Sequence, residues 1–347
     1  MSELLERARE GGTPLIDGDI VTFVWQGDRP PALIGDFTDW EASPQSLEPA
    51  GGGLWIHTEK ISQDAYIEYV FYDSEREERI PDPFNPRTCP SGMGDTNHYF
   101  YMPAAETNAL IRRKKGIPKG RITRHLVSTL GFAATRRRAV HLYHPPVDGP
   151  VPLLVVFDGQ DYLSRGRLPQ ILDNLIYQGR IQPVAMALVS HGGLARVVEY
   201  ASSDAALGLL TGAVLPLARK ELDLVDLESS PGRFGVMGAS MGGLMALYAG
   251  LRLPELFGTV LAQSGAYCFQ EKEFVVMDMV RYLPHRSLNI WMDAGRYDFL
   301  LEANRRMLEV LEYNGYAPGY REYPGGHNYT AWRNDLWRGL EFLFPPV

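Results

Sequence analysis

"GVMGASMGGLMA", residues 235–246, contains the pattern Gly238-x-Ser240-x-Gly242. A serine that attacks a carbonyl needs its hydroxyl held in the open, and a strained strand-to-helix turn does this. Such a turn brings strand and helix so close that the positions two before and two after the serine must lack bulk. The flanks fit: "GRFGVM" reads as a short apolar strand, and "MGGLMALYAGLRLP" as a helix stopped by Pro254. A phosphate-binding turn needs G-x-G-x-x-G or G-x-x-x-x-G-K-[ST], and this stretch has neither. Plain close packing explains the glycines as well as a nucleophile does, so the decision passes to the rest of the chain.

Around this turn, from about residue 121, strands and helices alternate. "VPLLVVFD" is a continuous apolar run, as in a buried parallel strand. "LPQILDNLIYQG" is helical, with Gly179 as its stop, and "PVAMALVS" is the next strand. "DAALGLLTGAVLPLARKEL" reads as one helix. "FGTVLAQSG" and "SLNIWMDAG" are strands, and further helices are expected over 299–313 and 328–342. This succession gives an α/β fold class with a doubly wound sheet over residues 121–347. Residues 1–107 read as β: "DIVTFVWQG", "GLWIHTEKIS", "AYIEYVFYDS" and "HYFYMP" alternate, with Gly/Pro/Asp clusters between them. They are expected to form a small antiparallel β-sandwich, with "EREER" at a strand end or hairpin tip. Residues 108–120, polar, basic and broken by Gly116, Pro118 and Gly120, read as a linker.

The 347 residues carry a net charge of −8 that is unevenly spread. Residues 1–107 have 20 acidic against 7 basic side chains, whereas residues 108–140 have 10 basic and no acidic ones. The acidic balance excludes a general nucleic-acid binder, and the basic segment reads as a solvated connector. No window has the length and apolarity of a membrane span, and the charged start "MSELLERAREGG" is no export signal, so the expectation is a cytoplasmic protein away from membranes. Cys89 and Cys268 lack metal or redox spacing and are expected to be free thiols; no H-E-x-x-H or Cys/His cluster appears, so no metal or other cofactor is expected.

A serine nucleophile in such a domain needs a histidine base and a carboxylate to orient it, in the chain order Ser, acid, His. Of the eight histidines only His285 and His327 follow Ser240. His285 precedes the next strand, which leaves no strand-end loop for an acid before it. His327, in the glycine-flanked "YPGGHNYTAW", is the expected base. "LNIWMDAGRYDFLLEAN" offers Asp293, at the strand's end, and Asp298, on the loop beyond Gly295; the loop position favours Asp298. An oxyanion hole would draw on the N–H of Met241 and on that of Gly159 or Gln160 in "FDGQDYL". Arg196, after the strand "PVAMALVS", is either a receptor for an anionic substrate or a partner of Glu199.

With these residues in view the sequence resembles the enterochelin (siderophore trilactone) esterases, within the esterase-D-like esterases of the α/β-hydrolase fold. The residues that carry the resemblance are "VVFDGQDYL", "RVVEYASSD", "GASMGG", "DAGRYDFLLEAN" and "GGHNYTAW". "IGDFTDWEASP" is similar to the signature of the immunoglobulin-like early-set domain that precedes the catalytic domain in those esterases. The resemblance implies an α/β-hydrolase domain behind a small immunoglobulin-like β-sandwich, and a serine esterase whose small-molecule ester substrate is a ferric catecholate siderophore. A homo-oligomer stays open. Two alternatives stand beside it: a feruloyl or acetyl sugar esterase, and a catalytically silent glycan- or partner-binding protein on a hydrolase scaffold. "SHGG" stands ahead of Arg196, where the family pattern has an acidic residue.

Overall fold

The computed structural model describes residues 3–91, 94–129, 131–133, 135–269 and 272–346. The chain divides into two units. Unit 1 is Met1–Thr107 with Gly295–Phe299 and Tyr323–Ala331; unit 2 is Asn108–Ala294, Leu300–Glu322 and Trp332–Val347.

Unit 1 is built on two antiparallel sheets. One orders the strands Leu15–Asp17, Ile20–Gln26, Leu54–Lys60 and Glu48–Gly51. The other orders Ala32–Gly35, Tyr66–Asp73, Thr96–Tyr101 and Thr88–Pro90, with Glu78–Ile80 added to Tyr66–Asp73. Val21 and Phe23 from the first sheet and Leu33, Ile67, Tyr69, Phe71 and Phe100 from the second close into one apolar core. Each such side chain contributes about 1.5–3 kcal/mol when fully buried. The opposite face of Ile20–Gln26 is covered too. Val24 and Leu54 pack under Leu5 and Ala8 of a helix, Glu3–Gly11, that the charged N-terminal sequence had concealed. "EREER" is the hairpin tip between Tyr66–Asp73 and Glu78–Ile80, as its charge implied.

Unit 2 is organised by an eight-stranded sheet, of which the ends of the last two strands are assigned to unit 1: β1 Arg121–Ser128, β2 Arg137–His144, β3 Leu153–Val156, β4 Ala185–Val189, β5 Gly235–Ala239, β6 Thr259–Gln263, β7 Asn289–Tyr297 and β8 Gly319–Gly326. Their order is β1-β2-β4-β3-β5-β6-β7-β8. β1 and β2 are antiparallel to their neighbours, and β4, β3, β5, β6 and β7 run parallel. All residues of β3, β4 and β5 are buried, because helices cover both faces of a parallel sheet. The chain steps from β3 out to β4 and then back across β3 to β5. That reversal leaves the loops after β3 and β5 side by side at the carboxyl edge, the place where open α/β sheets gather ligands.

Several sequence expectations change here. The basic stretch 108–140 is a solvated connector only in part, because from Arg121 it forms the β1–β2 hairpin at the sheet edge. Charge on an edge strand discourages pairing with another chain. The start of the expected linker is docked: Asn108 is buried, and Asn174 Nδ2 donates to the carbonyl of Leu110 at 2.7 Å. The helix read across 204–221 is α-helical over Asp204–Leu209 and Leu215–Glu221, with a π-helical segment, Leu210–Val214, between them. Pro216 accounts for it, since it has no N–H for the preceding turn and its ring crowds a regular helix. Residues 328–342 likewise form two helices, Tyr329–Asp335 and Trp337–Leu343.

Glu199 forms a bidentate ion pair with a distant residue. Its two oxygens accept from Arg138 on β2, at 2.8 and 3.0 Å, and the Arg138 side chain is only 3% exposed. Glu199→Ala strands this guanidinium in the interior, and breaking a buried pair from one side costs about 3–5 kcal/mol. Urea unfolding of Glu199→Ala is expected to show that loss, with a smaller one for Glu199→Gln. A loss below about 1 kcal/mol would mean that Arg138 reaches water instead.

Candidate active site

Ser240 stands between β5 and the helix Met241–Arg252, at φ 58° and ψ −124°. A backbone held there by a non-glycine residue stores on the order of 1–3 kcal/mol of strain. The surroundings enforce it. Ser240 N donates to the carbonyl of Gln263 at 2.9 Å, and its own carbonyl accepts from Leu244 and Ala266 N–H groups, each at 3.1 Å. A Cβ on Gly238 would lie 2.5 Å from the Gly242 backbone, and one on Gly243 3.1 Å from the Gln263 carbonyl. Gly238 is therefore required by strand–helix approach, and that approach leaves Ser240 half-exposed at the sheet edge. Met241 is the first residue of the helix, where backbone N–H groups have no intrahelical acceptor.

The neighbouring loop follows β3. Phe157 N donates to Met237 O at 2.8 Å, Asp158 is left-handed at φ 54°, and Gly159 opens a helix, Gly159–Ser164. A Cβ on Gly159 would come within 2.3 Å of the Leu188 carbonyl carbon on β4, so only glycine fits. Gln160 is fixed through its side chain, whose Oε1 accepts from the His191 N–H at 3.1 Å. Asp158 links this loop to the turn at Ser240. Its buried carboxylate is gripped by Arg196, Nε to Oδ1 at 2.7 Å and Nη2 to Oδ2 at 2.6 Å. The same Nη2 donates to the carbonyl of Ala239, the residue before Ser240, at 3.2 Å. Arg196 thus ties the Gly159–Gln160 loop to the Ser240 turn. Two of its donor positions, Nε and Nη2, face a protein carboxylate.

Asp298 and His327 meet within unit 1. Both carboxylate oxygens lie 3.0 Å from His327 Nδ1, and the Asp298 side chain is wholly buried. Phe299 flanks the imidazole with ring centroids 4.6 Å apart. The segment bearing Asp298 is anchored on both sides of Gly295–Tyr297: Arg296 pairs with Asp64 at 2.5 Å, and the Tyr297 hydroxyl accepts from Ser62 N–H at 2.8 Å. Asp293 is elsewhere. β7 continues to Tyr297, so Asp293 is a mid-strand residue and not a strand end. It is fully buried and accepts from Trp291 Nε1 at 3.0 Å and Gln263 Nε2 at 3.3 Å. Burial and the nearby Asp335 charge push its carboxyl well above the usual range. Among the described residues no three His, Cys, Asp or Glu side chains converge as metal ligands, and no single helix is long and apolar enough to cross a membrane.

A family model described as "Putative esterase" matches residues 133–343. The iron(III) enterobactin esterase of Dickeya dadantii (strain 3937) is 28% identical over 399 residues, covering 96% of this chain and 90% of that protein. The iron(III) enterobactin esterase of Escherichia coli (strain K12) is 24% identical over 351 residues, covering 88% and 83%. Among solved structures, the ferric enterobactin esterase of Salmonella typhimurium is similar with a TM-score of 0.77 at 23% identity, covering 93% of both chains. The CE1 ferulic acid esterase of Anaeromyces mucronatus is more distant, with a TM-score of 0.57 at 15% identity, covering 74% of this chain and 96% of that one. At such identities the structural likeness speaks for the fold alone.

Proposed function

This chain belongs to the family described as "Putative esterase" and is an esterase, and on that premise we propose that it is a serine hydrolase of siderophore trilactone esters with Ser240, His327 and Asp298 as its catalytic triad. The observation that carries the triad is the Asp298–His327 pair, in which a buried carboxylate fixes the Nδ1–H tautomer and leaves Nε2 as the base. The strained turn at Ser240 supports the nucleophile. In this reading Ser240 Oγ attacks the ester carbonyl and its proton passes to His327 Nε2. The carbonyl oxygen, now an anion, accepts from the N–H groups of Met241 and of Gln160 or Gly159. The tetrahedral adduct collapses, and the leaving alkoxide takes the proton from His327. Water then attacks the acyl-Ser240 ester by the same steps, which releases the acid and restores the serine. No step needs a metal or an organic cofactor. The same premise carries the reading of the two antiparallel sheets of unit 1 as the immunoglobulin-like early-set domain signalled by "IGDFTDW".

The substrate class rests on the enterobactin esterase relatives, with a feruloyl sugar ester as the alternative to be tested against it. The test is hydrolysis of a ferric catechol trilactone against a feruloyl sugar ester, with a p-nitrophenyl ester as the neutral reference. A higher kcat/KM on the feruloyl sugar would reverse the assignment. Arg196→Gln sharpens the comparison. Because the guanidinium is engaged by Asp158, its loss loosens the Ser240 and Gln160 segments for every substrate alike, by about 10²-fold or less. The expected result is an equal fall on the anionic trilactone and the neutral ester, unchanged by salt. A fall confined to the trilactone and shrinking with salt would make Arg196 its anion receptor.

A further inference from the structure

We propose that Asp36, in the "GDFTDW" segment of unit 1, is a positioning residue that sets the turn Gly326–His327–Asn328 and so aims the His327 imidazole. The inference rests on the reading of His327 as the catalytic base. Asp36 lies 292 residues before Asn328 in the chain, yet its Oδ2 accepts from Asn328 Nδ2 at 3.2 Å. The same oxygen accepts from Glu68 N–H at 2.8 Å, which ties the contact to the middle of the strand Tyr66–Asp73. Asn328 is held from its other end as well, since its Oδ1 accepts from Ala331 N–H at 2.9 Å in the first turn of the helix Tyr329–Asp335. On the other side of His327, the Gly326 backbone presses on the Asp36 carboxyl, where a Cβ would lie 2.0 Å from Cγ. Both neighbours of the histidine are thereby referred to one carboxyl group.

That carboxyl has no freedom of its own. Thr38 Oγ1 accepts from Gly35 N–H at 3.0 Å and donates to Gly35 O at 3.1 Å, which closes the turn that presents Asp36. A Cβ on Gly35 would meet the Glu68 carbonyl oxygen at 2.7 Å, so the turn sits flush on the sheet. Asp36 itself is 2% exposed. Burial, with Glu68 and Asp298 adding like charge, pushes its carboxyl well above the usual range. A protonated Asp36 adds no second negative charge beside the Asp298–His327 pair, while its Oδ2 still accepts both hydrogen bonds. Asparagine is likewise neutral, with the same shape and an oxygen that can accept both hydrogen bonds, whereas alanine is neutral but has no acceptor.

The experiment compares Asp36→Ala, Asp36→Asn and Asn328→Ala in the full chain by kcat and KM on a p-nitrophenyl ester, by the rate of fluorophosphonate labelling, and by Tm. Misplacing a catalytic base by about 1 Å costs up to about 10²-fold, so Asp36→Ala is expected to lower kcat and the labelling rate by about 10–100-fold with KM nearly unchanged. Asp36→Asn should return kcat to within about threefold of the parent, and Asp36→Ala/Asn328→Ala should be no worse than the poorer single variant. Should Asp36→Ala fail to fold, Asn328→Ala carries the same expectation. Parent-like kcat in folded Asp36→Ala or Asn328→Ala, or equal losses in Asp36→Asn and Asp36→Ala, would overturn the proposal. Ser240→Ala separates the two readings. If it is inactive while Asp36→Ala is fully active, only the positioning role falls; if Ser240→Ala is itself active, the triad falls.

Discussion

Ser240→Ala is expected to abolish ester hydrolysis, a loss on the order of 10⁶-fold in turnover, with Tm close to that of the parent. The stability expectation follows from how the turn is held. The bonds to Gln263, Leu244 and Ala266 all use the Ser240 backbone, and alanine keeps them. Alanine also meets the same positive φ of 58° that serine does, so the strain is unchanged between the two. What disappears is the hydroxyl proposed to form the acyl-enzyme. Fluorophosphonate labelling is the direct check, because it reports the nucleophile without depending on the choice of substrate. Labelling of Ser240→Ala at the parent rate would place the nucleophile elsewhere and reduce the glycine-rich turn to packing.

The second large effect belongs to the acid. Asp298→Asn keeps the size of the side chain and removes its charge, so the amide can turn its NH₂ toward His327 Nδ1 and stabilise the wrong tautomer. In serine hydrolases that exchange costs about 10³–10⁴-fold in kcat. The two 3.0 Å contacts and the full burial of the Asp298 side chain leave water no room to substitute. Asp293→Asn is the control. Its carboxyl is already pushed toward the neutral form by burial, and an asparagine oxygen can accept from Trp291 and Gln263 in its place. Its kcat should stay within about tenfold of the parent. If Asp293→Asn proves the more damaging to kcat in folded protein, the acid has been misassigned.

The features legible in the sequence were those encoded within a few residues. Gly238 announces the turn because the clash it avoids, with the Gly242 backbone, is between neighbours in the chain. β3 and β4 are legible because a strand covered on both faces has only apolar residues. The misreadings share a cause. Gly295 was taken to end β7, yet the strand runs on to Tyr297. The glycine is there because a Cβ would lie 2.2 Å from the Gly325 carbonyl oxygen on β8. Nothing near Gly295 in sequence records that approach. Arg138 and Glu199, separated by 61 residues, and Asp36 and Asn328, separated by 292, are partners of the same kind. The Arg196–Glu199 pairing was the local guess, three residues apart, and the chain used distant partners for both: Asp158 for Arg196 and Arg138 for Glu199.

The assignment of Gly295–Phe299 and Tyr323–Ala331 to unit 1 bears on how such an enzyme can be taken apart. In a modular protein the boundary between recombinable pieces falls where the sequence changes character, here near residue 107. The segments bearing Asp298 and His327 do not respect that boundary: Ser62, Asp64 and Asp36 lie on one side of it, and their partners Tyr297, Arg296 and Asn328 lie on the other. Trimming the chain to its esterase-family region, residues 133–343, would keep Ser240, Asp298 and His327 in the polypeptide while removing residues that hold the segments of the last two. Exchanging residues 1–107 between relatives would likewise transplant part of the acid–base geometry along with the domain. A library of swapped N-terminal segments is therefore expected to vary the setting of His327.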